Sequence, residues 1–211
     1  MRCHIEVGKV NDRHREDGTI CFLLPLSLTS ETIPSSSVSK LKTCAMAVSQ
    51  LELSNADAMH LQAAQGWLEL GDWESANDEL EENQPQLRAH PDVLKIRIEV
   101  YVAAEQWDYV VEVAETLVSE LPRDSFGHVH LAAALHTLGR TEEAWRTLVR
   151  VAHRFPKEWI VPYNLARYAT QLGSMVAARE LLSDAFALGE AKALKLQALE
   201  EPDFGPLWSQ E

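Results

Sequence analysis

The chain is short of positive charge. Its 211 residues carry 19 Lys and Arg against 32 Asp and Glu, a formal charge of −13. Nucleic-acid affinity comes mainly from clustered cations, so this balance argues against a nucleic-acid partner. Long apolar runs are missing as well. None reaches the roughly 18 residues that a membrane helix needs, so no membrane association is expected. Cysteine is scarce and confined to Cys3, Cys21 and Cys44. Three cysteines make no disulfide framework, and these lack metal-ligand or redox spacing. What remains is a globular composition, 46% hydrophobic and 24% charged.

The patterns that carry chemistry are also missing. No acid–base pair, nucleophile motif or glycine-rich phosphate loop is present. Residues 66–71, Gly-Trp-Leu-Glu-Leu-Gly, fall in a helix and its turn rather than after a strand. His128, His130 and His136 share one expected helix. The first two point about 200° apart around it. His128 and His136 are separated by about 12 Å along the axis, too far for one ion. No catalytic residue, metal or cofactor is therefore expected, and the chain is not read as an enzyme.

Residues 1–50 differ from the rest. They hold all three cysteines and a Ser/Pro-rich stretch, whereas all six tryptophans lie beyond residue 66. They are read as a disordered extension, or translation starts at Met46 and residues 1–45 are an artefact of the assigned start. The apolar run at 20–28 has the length of a secretory h-region. The segment before it, however, carries Glu6, Asp12, Glu16 and Asp17, and Pro25 interrupts it. A cytoplasmic location is expected.

From residue 57 the sequence repeats every 34 residues. Turn tripeptides begin at Gly71, Glu105, Gly139 and Gly173. Five residues on lie Ala76, Val110, Ala144 and Ala178, and four further Leu80, Ala114, Leu148 and Leu182. Upstream stand Ala64, Ile98, Ala132 and Ala166, beside a column in which only Arg97 is polar. Each unit contains two apolar-periodic runs that suit amphipathic helices. A glycine between them supplies the positive dihedral of a tight helix–helix turn. Small residues let the helices approach closely, and stacked hairpins bury what one hairpin leaves exposed. Helices are expected at 57–70, 73–84, 91–104, 107–120, 125–138, 141–154, 159–172 and 175–188.

This pattern resembles the tetratricopeptide repeat. The match runs through Pro162-Tyr163-Asn164-Leu165-Ala166, Leu172-Gly173 and Ala177-Ala178 in the last unit. In the third it runs through Leu131-Ala132, Leu138-Gly139, Glu143-Ala144 and Pro156. The first unit departs at Asn83 and Arg88, and the second at Glu105. The expected architecture is an all-α solenoid of four helix-turn-helix units, at 57–90, 91–124, 125–158 and 159–192. A capping helix and a tail follow over 190–211, with Ala191, Leu194, Leu196 and Leu199 covering the last unit. Phe204, Leu207 and Trp208 are expected to fold back and pin the end.

The resemblance implies a non-catalytic adaptor or scaffold that grips a protein or peptide in its concave groove. A self-associating structural module is the alternative. The family's groove columns fall on Leu61, Gln65, Lys95, Glu99, Phe126, Val129, Ala133, His136, Tyr163 and Arg167, with Gln171 one turn on. Phe126 and Val129 would form an apolar floor, with Lys95 and Arg167 flanking it, suiting an apolar anchor and a carboxylate. The carboxylate clamp that binds heat-shock chaperone tails needs paired asparagines and a third-helix cation. Those columns hold Gln65, Glu99, Val129 and Ala133, so that activity is not expected.

Overall fold

A computed structural model describes residues 53–209; the expectations for residues 1–50 fall outside them. The described residues form ten α-helices and no strand. They run α1 (Asn55–Glu69), α2 (Trp73–Glu81), α3 (Pro91–Ala103), α4 (Trp107–Glu120), α5 (Ser125–Thr137), α6 (Thr141–Val149), α7 (Ile160–Gln171), α8 (Met175–Leu188), α9 (Ala191–Glu200) and α10 (Gly205–Trp208). Short 3₁₀ turns stand at Pro85–Leu87, Ala152–Arg154 and Pro202–Phe204. Helices α1 to α8 pair as four hairpins, and each hairpin packs on the next. The molecule is a helical-repeat solenoid. No described helix is long and apolar enough to cross a membrane.

The hairpin turns share one construction. In each, two backbone N–H groups reach back into the ending helix: Gly71 to Leu68 and Asp72 to Trp67, Glu105 to Val102 and Gln106 to Tyr101. Gly139 to His136 and Arg140 to Leu135 repeat it, as do Gly173 to Thr170 and Ser174 to Ala169. This double cap needs a left-handed residue. Gly71, Gly139 and Gly173 supply it at φ of 79°, 78° and 78°. Glu105 supplies it at 55°, the one non-glycine residue with positive φ among the described residues. The repeat geometry therefore overrides a side chain that disfavours it.

The two alignment columns, Ala76, Val110, Ala144, Ala178 and Ala64, Ile98, Ala132, Ala166, are fully buried. The core is continuous along the stack. Tyr101 packs against both the first and second clusters of buried residues, and Trp145 and Leu181 against both the second and third. Arg97, the polar member of its column, donates to Glu81, which also receives Arg88.

Several boundaries differ from expectation, each for a local reason. Helix α1 starts two residues early because Ser54 and Asp57 form a capping box. Helix α2 stops at Glu81; Asn83 turns inward and donates to the carbonyls of Glu79 and Leu80, while Leu87 plugs the core beneath the loop. Helix α6 stops at Val149, its remainder rewound as 3₁₀. On α9 the cover over the last hairpin comes from Leu194 and Ala198, one turn apart on one face. Leu196 and Leu199, expected there, point to solvent.

Candidate partner-binding groove

The first helices of the four hairpins, α1, α3, α5 and α7, carry all ten candidate groove residues. The structure divides them into two groups with different surroundings.

The first group spans α1, α3 and the start of α5. A recess of about 420 Å³ is lined by Leu53, Leu61, Gln65, Lys95, Ile96, Glu99 and Phe126 among others. Leu61 is largely in the core and shows only an edge here. Lys95 is not free: its Nζ pairs with Asp124, which also caps α5 by accepting from the Phe126 N–H. The same Nζ lies 5.9 Å from the centre of the Phe126 ring, whose other neighbour is the His130 ring at 4.1 Å. Burial would raise the Asp124 carboxyl, but the hydrogen bond and charge of Lys95 and the Phe126 N–H hold it below its ordinary value. Glu99 has no such help. It is half-buried, and desolvation pushes its carboxyl above the ordinary range. Val129 and Ala133, further along α5, do not line the recess and are partly exposed. Desolvation likewise lowers His130.

The second group, His136, Tyr163 and Arg167, lies against the chain's own C-terminus. Arg167 Nε and Nη2 donate to Asp203 Oδ2 at 3.0 and 2.7 Å. His136 Nε2 contacts the same oxygen at 2.9 Å, its Nδ1 lying 2.9 Å from Thr141 Oγ1. Gln171 donates to the Asp203 carbonyl, and Glu201 Oε1 lies 3.4 Å from Arg167 Nη2. Burial would raise the Asp203 carboxyl, but His136 and Arg167 together keep it below its ordinary value. Behind it Phe204 is completely buried, its ring edge-on to Tyr163 at 5.4 Å. Leu207 is buried too, whereas Trp208 is partly exposed and donates to the Ala198 carbonyl.

Both cations that were expected to flank a vacant apolar floor are thus engaged internally, Lys95 by Asp124 and Arg167 by Asp203 and Glu201. The sequence reading missed Asp203 and Asp124. Their signals were present, in the Asp-Phe pair of the tail and in an Asp just before an expected helix start.

His128 is buried, 3.3 Å from the Pro122 carbonyl and 5.7 Å from the Phe155 ring centre. Among the described residues no three His, Cys, Asp or Glu side chains gather as a metal site.

Solved structures similar to this chain share one architecture. One is a thermophilic tetratricopeptide-repeat protein of Thermus thermophilus, 20% identical, with a TM-score of 0.61 over 74% of this chain and 88% of that one. This chain has the tetratricopeptide-repeat fold. Another repeat protein, YrrB, described as having an unusual peptide-binding site, is 22% identical, with a TM-score of 0.56 over 79% and 87%. MamA of Desulfovibrio magneticus RS-1, from residue 41 onward, is 16% identical, with a TM-score of 0.57 over 66% and 78%. No family profile matches the sequence, and no curated protein matches it. At these identities the likeness to tetratricopeptide-repeat structures concerns the fold.

Proposed function

We propose that this chain is a non-catalytic protein-interaction module that holds a partner segment along the inner face of its repeats. The carrying observation is the recess between α1, α3 and α5. Its floor of Leu61, Ile96 and Phe126 suits an apolar anchor, and it opens to solvent. Glu99 lines the same recess, makes no ion pair or hydrogen bond among the described residues, and is pushed above its ordinary range by desolvation. Lys95 is already neutralised. The segment that fits is therefore an apolar anchor with a cationic or N–H-donating neighbour, not the carboxylate that Lys95 suggested from sequence. The repeat fold and YrrB, whose description names a peptide-binding site, support the same reading. The cytoplasm is the compartment this reading assumes.

The test is affinity capture from source cells with the wild-type chain, Phe126→Glu and Glu99→Lys, followed by mass spectrometry. Circular dichroism verifies that each variant keeps its helices. Partners held by the wild type are expected to be lost on both variants, since hot-spot truncation or charge reversal costs at least about 2 kcal/mol. Partners retained equally by folded variants would remove the recess from the function.

A further inference from the structure

The far half of the candidate groove is covered by the chain's own tail. Residues 202–208 form a 3₁₀ turn and a short helix that pack against α7 and reach α5 through Asp203. A carboxylate, Asp203, sits on a cationic fork made by Arg167 and His136. The next side chain, Phe204, fills an aromatic pocket walled by Tyr163. A backbone carbonyl takes the Gln171 amide. The contacts are those of a peptide-binding site: a charge anchor, an adjacent aromatic anchor and a main-chain hydrogen bond.

Two polar groups beside the tail are left without partners. The Tyr163 and Tyr168 hydroxyls are buried and have no hydrogen-bond partner among the described residues. Both lie near the tail: Tyr163 meets the Phe204 ring edge-on, and Tyr168 lies 4.9 Å from the His136 ring that holds Asp203. Their side chains are 1% and 0% exposed, and a buried hydroxyl without a partner costs stability. Pro202 and Pro206 restrict the segment on either side, which lowers the entropy lost when it docks.

We infer that the α5–α7 face is a second peptide site, held closed by residues 201–208, and that its partner presents an acidic residue followed directly by an aromatic. This rests on the reading of the inner face as a binding surface and names the chemistry of its second half. A tethered occupant competes at a high effective concentration, so an external segment binds weakly until the tail is loosened. The two halves then differ in the charge they select: the open recess offers Glu99, and the closed site offers Arg167.

The probe is a fluorescein-labelled peptide of residues 200–209, titrated by anisotropy into the full chain. The comparison is wild type against Asp203→Ala/Phe204→Ala, which disables the internal copy. The double variant is expected to bind the peptide at least about tenfold more tightly than wild type. Arg167→Ala added to it, or alanine at the peptide's own Asp or Phe, is expected to abolish binding. A double variant that keeps its helices and takes no peptide would overturn the inference and make the tail a permanent plug.

Should the double variant unfold, amide hydrogen exchange of the wild-type chain decides. Tail amides that open faster than those of α8 support the inference, and tail amides that open only with α8 overturn it. Capture that depends on Phe126 involves the other half. A failed peptide titration therefore leaves that reading standing, and a failed capture leaves the tail experiment informative.

Discussion

Two phenylalanines show how differently the two ends of the candidate groove are treated. Phe126 and Phe204 both meet the inner face of the solenoid, and each has a charged neighbour in reach. Phe126 grows from α5 itself and stays partly exposed, lining an open recess. Phe204 arrives from the tail, is completely buried and brings Asp203 onto Arg167 and His136. The same kind of surface is thus presented at one end and satisfied at the other. Equivalent helices of the repeat differ in exposure according to what packs against them.

The largest effect expected from breaking this contrast is on Phe204. Phe204→Ala removes a fully buried ring and should lower stability by about 3–5 kcal/mol, read by urea unfolding. Phe126→Ala should cost less than half as much, because that ring is already partly in water. Equal costs would erase the distinction between the two halves. Asp203→Ala comes next. It leaves the Arg167 guanidinium without its closest acceptor, and the loss of charge-assisted hydrogen bonds should cost about 1.5–3 kcal/mol.

The Asp203 contacts have a pH signature. The Asp203 carboxyl is held below its ordinary 3.8 in the folded chain. A depressed carboxyl contributes stability fully above that ordinary value and loses it as pH falls through the lowered one. Wild-type unfolding free energy should therefore fall more steeply below about pH 4 than that of Asp203→Ala. Parallel curves would show that the carboxylate does not stabilise the fold. The smallest effect expected is in the second hairpin turn. Glu105→Gly should stabilise by about 1 kcal/mol, since it relieves a left-handed non-glycine residue. Gly139→Ala should cost a similar amount, although a Cβ there would meet no atom within 4 Å. A neutral Gly139→Ala would mean that the turn is not held by its dihedral.

Much of the fold could be read directly because its determinants are local and repeated. The 34-residue spacing placed every hairpin turn, and the small-residue columns marked the helix–helix contacts. Even the departure at Glu105 was visible, though only the folded chain shows that it adopts the glycine's conformation. The candidate groove was less legible. Its columns lie on the inner helices, but side-chain type says nothing about whether a charge is already paired. Asp203 lies 67 residues from His136 and 36 from Arg167. A pairing over that distance has no period to betray it.

The sequence by itself determined a stack of helix pairs, because small residues at a fixed interval leave the chain no other way to bury both faces of each hairpin. It also determined that the end of the chain would need apolar cover. Only the tertiary structure decided that Lys95 and Arg167 are neutralised from within, and that one half of the inner face stays open while the tail fills the other. Electrostatic pairing depends on distances between side chains far apart in the chain, and those are set by the superhelical stacking rather than by any single repeat.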